Sequence, residues 1–157
     1  MKKFLLIIVV GSALLTGGAL YDGVDNQDMT EPTIHFWQSN PMKFNTYVKG
    51  QCTYYAFDRI RQDGNMINNK WGDAKYWASK AENEGYKVDE SPKAGSILQT
   101  SEGEHGHVAY VEKVNDNGSL TVSDMNYRKP YEVTTRHIGT YEVKDYNYIH
   151  PKNNAKT

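Results

Sequence analysis

The apolar residues of this chain change their period once, near Pro92, and that change limits the folds open to it. Before Pro92 two segments repeat at helical spacing. Cys52, Tyr55, Ala56 and Ile60 predict a helix over about 51–61, with Gly64 soon after. Ala74, Trp77, Ala78 and Ala81 stand at i, i+3, i+4 and i+7 and predict a second over about 73–84. Asp73 is placed to cap its start, and Gly85 to take the left-handed position beyond its end. After Pro92 the pattern becomes that of strands, over 96–100, 107–114, 119–127 and 146–150, with one or two more inside 131–143. Helices followed by antiparallel strands define an α+β domain, its N-terminal helices packed on the sheet.

Between the second and third of these strands lies Asn115-Asp116-Asn117-Gly118, a strong hairpin signal. Alternation places His107, Ala109 and Val111 on one face of the first strand, and Leu120, Val122, Asp124 and Asn126 on one face of the next. A two-residue loop pairs Ala109 with Asn126 and Val111 with Asp124. A four-residue loop pairs His107 with Asn126 directly. Either puts both sets on the same side of the sheet, whereas a three-residue loop would flip one of them away. In the favoured registers His107 has an amide or a carboxylate within reach, which a catalytic imidazole needs to fix its tautomer and orientation.

Cys52, the only cysteine, falls at the expected first turn of the first helix. Unpaired N–H groups and the positive end of the macrodipole favour the nucleophilic thiolate at such a position. A lone cysteine is more often a small buried hydrophobe. The start of the chain shifts that balance. Met1-Lys2-Lys3 precedes an apolar run from Phe4 to Leu20 containing Gly17-Gly18-Ala19. This is the pattern of a secretory leader with cleavage after Ala19. At ~1.5 Å per residue the run spans ~26 Å, slightly short of a ~30 Å hydrocarbon core, so it reads as a signal peptide or an uncleaved membrane anchor over 1–20. The lysines stay inside and the rest of the chain outside in both cases. Residues 21–32, with Asp22, Asp25, Asp28 and Glu31 and no lysine or arginine, read as an acidic linker. A domain over 33–157 follows, its core at about 45–150. An exported chain that kept cysteines for stability would hold an even number, so the single thiol points to chemistry. If the start of its helix packs against the His107 face, a Cys-His-polar triad assembles.

Other functions find little support. A net charge of −1 without a basic stripe argues against a nucleic-acid partner, and no glycine-rich phosphate cradle or internal repeat occurs. His105 and His107 could suggest a metal, but a glycine separates them and no second cluster of ligand spacing follows, so no metal and no cofactor is expected. His35, His105, His137 and His150 are assigned structural or solvated roles, and Asp58, Arg59 and Arg61 the outer face of the first helix. Twelve tyrosines and three tryptophans suit either core packing or a wet groove that grips an extended polar ligand.

Five stretches together carry a resemblance. Gly50-Gln51-Cys52-Thr53-Tyr54-Tyr55-Ala56, Trp71-Gly72-Asp73-Ala74, Pro92 to Thr100, Gly106-His107-Val108-Ala109-Tyr110-Val111-Glu112 and Tyr146-Asn147-Tyr148-Ile149-His150 occur in order over about residues 45–150. The chain resembles the CHAP domain, the cysteine, histidine-dependent amidohydrolase/peptidase, of the staphylococcal secretory antigen type. The resemblance implies a papain-like fold and hydrolysis of amide bonds in the peptide part of bacterial peptidoglycan, as an N-acetylmuramoyl-L-alanine amidase, an endopeptidase or both. It carries over Cys52 as nucleophile and His107 as general base. Where the family usually has Glu-x-Asn this chain has Asp124-Met125-Asn126, so Asp124 and Asn126 both remain candidates to orient His107. The Cys52 backbone N–H and the Gln51 side chain are candidates for the oxyanion. Peptidoglycan is the implied partner, a monomer the implied state, and the cell exterior or the wall the implied location. An inactive wall-binding module and an exported cysteine protease or toxin are the alternative readings.

Overall fold

The computed structural model describes residues 39–155. The expected leader, acidic linker and domain start at 33 lie outside the described residues. A 3-10 turn, Pro41–Lys43, precedes helix α1, Cys52–Gln62. Strand β1, Asn65–Met66, and a 3-10 turn, Ala74–Tyr76, lead into helix α2, Trp77–Asn83. The remaining strands are β2 (Lys87–Asp89), β3 (Ile97–Thr100), β4 (His107–Val114), β5 (Leu120–Met125), β6 (Val133–Ile138), β7 (Asn147–His150) and β8 (Lys152–Asn153). A last 3-10 turn, Val143–Asp145, lies before β7. Six strands form one antiparallel sheet in the order β2-β7-β3-β4-β5-β6, and β1 pairs with β8. The α+β architecture expected from the change of period is the architecture observed.

Each face of the sheet carries its own core, as strand alternation requires. Ile97, Val108, Tyr110 and Ile149 pack with Ala56, Phe57 and Ile60 of α1 and with Trp71 and Trp77. Leu98, Ala109, Val111, Leu120, Val122 and Tyr148 form the opposite cluster, closed by Ile138 and Val143. The body of α1 therefore covers the face alternate to His107. Cys52 and His107 approach each other at the end of the sheet, where α1 and β4 both begin.

The β4–β5 hairpin corrects the expected turn. Asn115 N–H donates to the Ser119 carbonyl at 2.8 Å and Gly118 takes φ +82°, which leaves a three-residue loop, 116–118. Such a loop by itself would send His107 and Asp124 to opposite faces. The ladder shifts between Val111 and Lys113, so that Val114 pairs with Leu120 while Tyr110 pairs with Ser123. This bulge at Glu112 adds one residue to β4 and restores the parity. Beyond it the register is that of the four-residue loop.

Glu112 is also where α1 is tied down. Arg59 donates to both of its carboxylate oxygens, at 2.7 and 3.0 Å, and its guanidinium lies 4.2 Å from the centre of the Tyr110 ring. The Ser123 hydroxyl donates to Glu112 at 2.6 Å. Arg59 thus faces the sheet, not the outer face assigned to it from spacing. Two further corrections concern α2 and the sheet edge. The second helix begins as a 3-10 turn, and Asp73 stands at its cap position without a capping bond. Strands β1, β2 and β8 escaped the pattern because two or three residues cannot display alternation. His150, assigned a structural or solvated role, pairs with Asp89 at 2.8 Å between β7 and β2.

Candidate active site

Cys52 is the first residue of α1 and is 9% exposed. Gly50 before it has φ +86° and Gln51 is extended, so the chain turns sharply into the helix and leaves the first backbone N–H groups without helical partners. His107 opens β4 directly after Gly106, which has φ +70°. A Cβ on Gly106 would fall 2.5 Å from the Lys75 nitrogen and 2.7 Å from the Thr100 carbonyl oxygen. Only glycine lets the loop lie this close to the 74–76 turn, to which it is also held by Lys75 N–H donating to the His105 carbonyl at 2.9 Å.

Cys52, His107, Gln51 and Asn126 line one groove of about 790 Å³, together with Asp73 and His105. His107 Nε2 lies 3.0 Å from Asp124 Oδ2. That bond leaves Nδ1 as the ring nitrogen available to the Cys52 sulfur. Asp124 is fully buried and its carboxylate is surrounded by donors. Thr134 gives its hydroxyl proton to Oδ1, while Arg136 reaches Oδ2 through Nε at 2.8 Å and through the terminal nitrogen at 2.7 Å. The Arg136 guanidinium stacks 3.7 Å from the Tyr127 ring centre, and Tyr127 meets the His107 ring edge-on at 5.5 Å.

These contacts fix the charges. Burial opposes a charged imidazole, but hydrogen bonds to Asp124 and Cys52 outweigh it and push His107 from 6.5 up to about 9. Burial also opposes ionisation of Asp124, yet its bonds from His107, Thr134 and Arg136 hold it below the ordinary carboxylate value. The ring thus favours its charged form, with a buried carboxylate on one side and a sulfur on the other. A group of this kind can protonate a leaving amine and keep a neighbouring thiolate paired.

The sequence candidates divide cleanly. Asp124, although one methylene shorter than the usual glutamate, is the residue bonded to His107. Asn126 is not bonded to the ring, because β5 ends at Met125 and Asn126 turns off with φ +60°. Its Nδ2 instead donates to Gln51 Oε1 at 2.7 Å. His105 pairs with Asp73 at 3.2 Å and does not converge with His107. Among the described residues no three His, Cys, Asp or Glu side chains gather as a metal site. Sequence reasoning missed Arg136, Thr134 and Tyr127. Alternation within 131–143 could place Thr134 and Arg136 on one face, but only the β5–β6 register, with Asp124 opposite Thr134, makes that face the one behind His107.

Residues 42–126 match the family model for the CHAP domain. A Staphylococcus aureus protein named "Probable autolysin SsaALP" is 51% identical over 107 residues, covering 68% of this chain and 40% of the relative. Staphylococcal secretory antigen ssaA2 of the same species is 52% identical over 107 residues, covering 68% and 39%. The chain thus spans about 40% of the length of these curated relatives. The crystal structure of N-acetylmuramoyl-L-alanine amidase from Staphylococcus aureus superposes with a TM-score of 0.64 at 34% identity, covering 66% of this chain and 31% of that one.

Proposed function

The chain belongs to the CHAP domain family, and from that premise we propose that it is a peptidoglycan hydrolase that cuts amide bonds of the wall peptide with Cys52 as nucleophile. The observation that carries this reading is the shared groove, where the thiol at a helix start meets an imidazole whose Nε2 is bonded to Asp124. The names of the relatives, an autolysin, a secretory antigen and a muramoyl-alanine amidase, support a wall substrate and a site of action outside the cell.

The mechanism is acyl transfer. The Cys52 thiolate attacks the peptide carbonyl carbon, a C–S bond forms, and the carbonyl π electrons move to oxygen. The Cys52 backbone N–H and the Gln51 side chain are the donors near that oxygen. His107 gives its Nδ1 proton to the nitrogen as the C–N bond breaks, which releases the amine and leaves a thioester. Neutral His107 then takes a proton from water, hydroxide adds to the thioester, and collapse releases the acid and restores the thiolate–imidazolium pair. Throughout, Asp124 keeps Nε2 protonated and the ring aligned. No step calls for a metal or a cofactor.

The test is hydrolysis of purified staphylococcal peptidoglycan by the wild type and by Cys52→Ala, followed by release of new amino groups and mass analysis of the fragments. Release by the wild type alone supports the reading, and the fragment masses assign the bond as sugar–peptide, stem or cross-bridge. Equal release by both, or none by either, refutes it.

A further inference from the structure

Among the described residues only two that are not glycine have positive φ, Asn126 at 60° and Tyr131 at 64°. They stand near the two ends of the β5–β6 loop, and both dock on the two residues that precede Cys52. Tyr131 N–H donates to the Gly50 carbonyl at 3.1 Å, and its ring covers Gly50 so closely that a Cβ there would lie 2.7 Å away. Asn126 Nδ2 donates to Gln51 Oε1 at 2.7 Å, while its own N–H is held by the Glu132 carbonyl at 3.0 Å. A left-handed residue that is not glycine costs about 1–3 kcal/mol and persists where its surroundings over-determine it. Here both strained residues serve one short arm.

That arm ends in Gln51, whose side chain makes no capping bond to α1 although Gln51 occupies the cap position. A primary amide has an accepting end and a donating end. With Oε1 engaged by Asn126, the Nε2 hydrogens are turned away from it, and both residues line the groove beside Cys52. Asn126 has no ring nitrogen of His107 left to serve, since Nε2 is bonded to Asp124 and Nδ1 faces the sulfur. We infer that the β5–β6 loop is a brace that sets the polarity of the Gln51 amide: Gln51 Nε2 is the oxyanion donor, and Asn126 and Tyr131 are positioning residues that act through it. The inference deepens the proposed function and rests on Cys52 as the nucleophile.

Two small probes separate this role from general damage. Iodoacetamide alkylates Cys52 by displacing iodide, and no oxygen gains charge. p-Nitrophenyl acetate acylates Cys52 through a tetrahedral oxyanion, with p-nitrophenolate leaving as the thioester forms. Asn126→Asp keeps the size of the side chain but can only accept, so it must draw the Gln51 NH2 toward itself and turn the carbonyl into the groove. Its acylation rate is expected to fall about 10²-fold, the scale for loss of one oxyanion donor, while alkylation stays within about threefold of wild type. Gln51→Ala should show the same split, the double variant should lose no more than either single one, and Asn126→Ala should lose less than Asn126→Asp. Thermal unfolding of each variant checks the fold. Wild-type acylation by Asn126→Asp, a parallel loss of both reactions, or additive losses in the double variant would overturn the brace. Peptidoglycan cleavage is read separately: if the wild type cuts no wall while the acylation split holds, the brace stands and the wall substrate fails.

Discussion

Replacing Asp124 with asparagine keeps the outline of the side chain and removes the charge that both His107 and Arg136 face. His107 is raised from 6.5 to about 9 against the opposition of burial. A rise of that size corresponds to roughly 3 kcal/mol of preference for the charged ring. Asp124 and Cys52 both raise it, so Asp124→Asn lowers the His107 value. The consequence for stability has a definite sign. A proton bound more tightly in the folded state stabilises fully below the unfolded value of 6.5, and that contribution is lost as pH rises through about 9. The variant lacks the Asp124 share of this contribution, so its deficit is largest between roughly pH 5 and 7. Above about pH 9 the deficit shrinks to the pH-independent remainder from the half-buried Arg136 left without its carboxylate, about 2 kcal/mol. Imidazole NMR titration reads the first quantity, and urea unfolding at pH 6 and pH 10 reads the second. Acylation of Cys52 should fall about 10²-fold, the scale for disturbing a general acid–base group. A His107 that still titrates near 9 in Asp124→Asn, or an equal loss of stability at both pH values, would refute the account.

Three further outcomes follow from the same geometry. Alkylation by iodoacetamide is expected to abolish release of amino groups from peptidoglycan and EDTA to leave it unchanged; a loss in EDTA restored by zinc or calcium contradicts the proposed chemistry. Gly106→Ala forces a Cβ to within 2.5 Å of the Lys75 backbone at φ +70°, so a cost of about 3 kcal/mol in urea unfolding is expected, together with loss of activity because His107 is the next residue. Arg59→Ala removes both bonds to Glu112 and uncovers Tyr110, and calorimetry should show about 2 kcal/mol lost with Cys52 alkylation nearly unchanged. A variant as stable as wild type would show that the bulge does not depend on this pair.

Sequence by itself determined what depends on neighbouring residues. The change of period separated two helices from the strands, because apolar spacing is a local record of which face is buried. Cys52 was legible at a helix start, and His107 and Asp124 as residues of adjacent strands. Tertiary structure decided how those strands align. The loop at 116–118 has the length that separates His107 from Asp124, and the bulge at Glu112 reverses its effect, yet Glu112 is held by Arg59, 53 positions earlier in the chain. Arg59 itself looks from spacing like a surface residue of α1. The contrast between Asp124 and Asn126 has the same origin, since both sit on one face by alternation. β5 pairs with β6 as far as Met125, and Asn126 then leaves the strand in a left-handed turn toward Gln51, 75 positions away. Arg136 and Thr134 reach Asp124 only across the β5–β6 ladder. Registers, bulges and turns of this kind are settled by contacts between distant segments, and a pattern read along the chain carries no term for them.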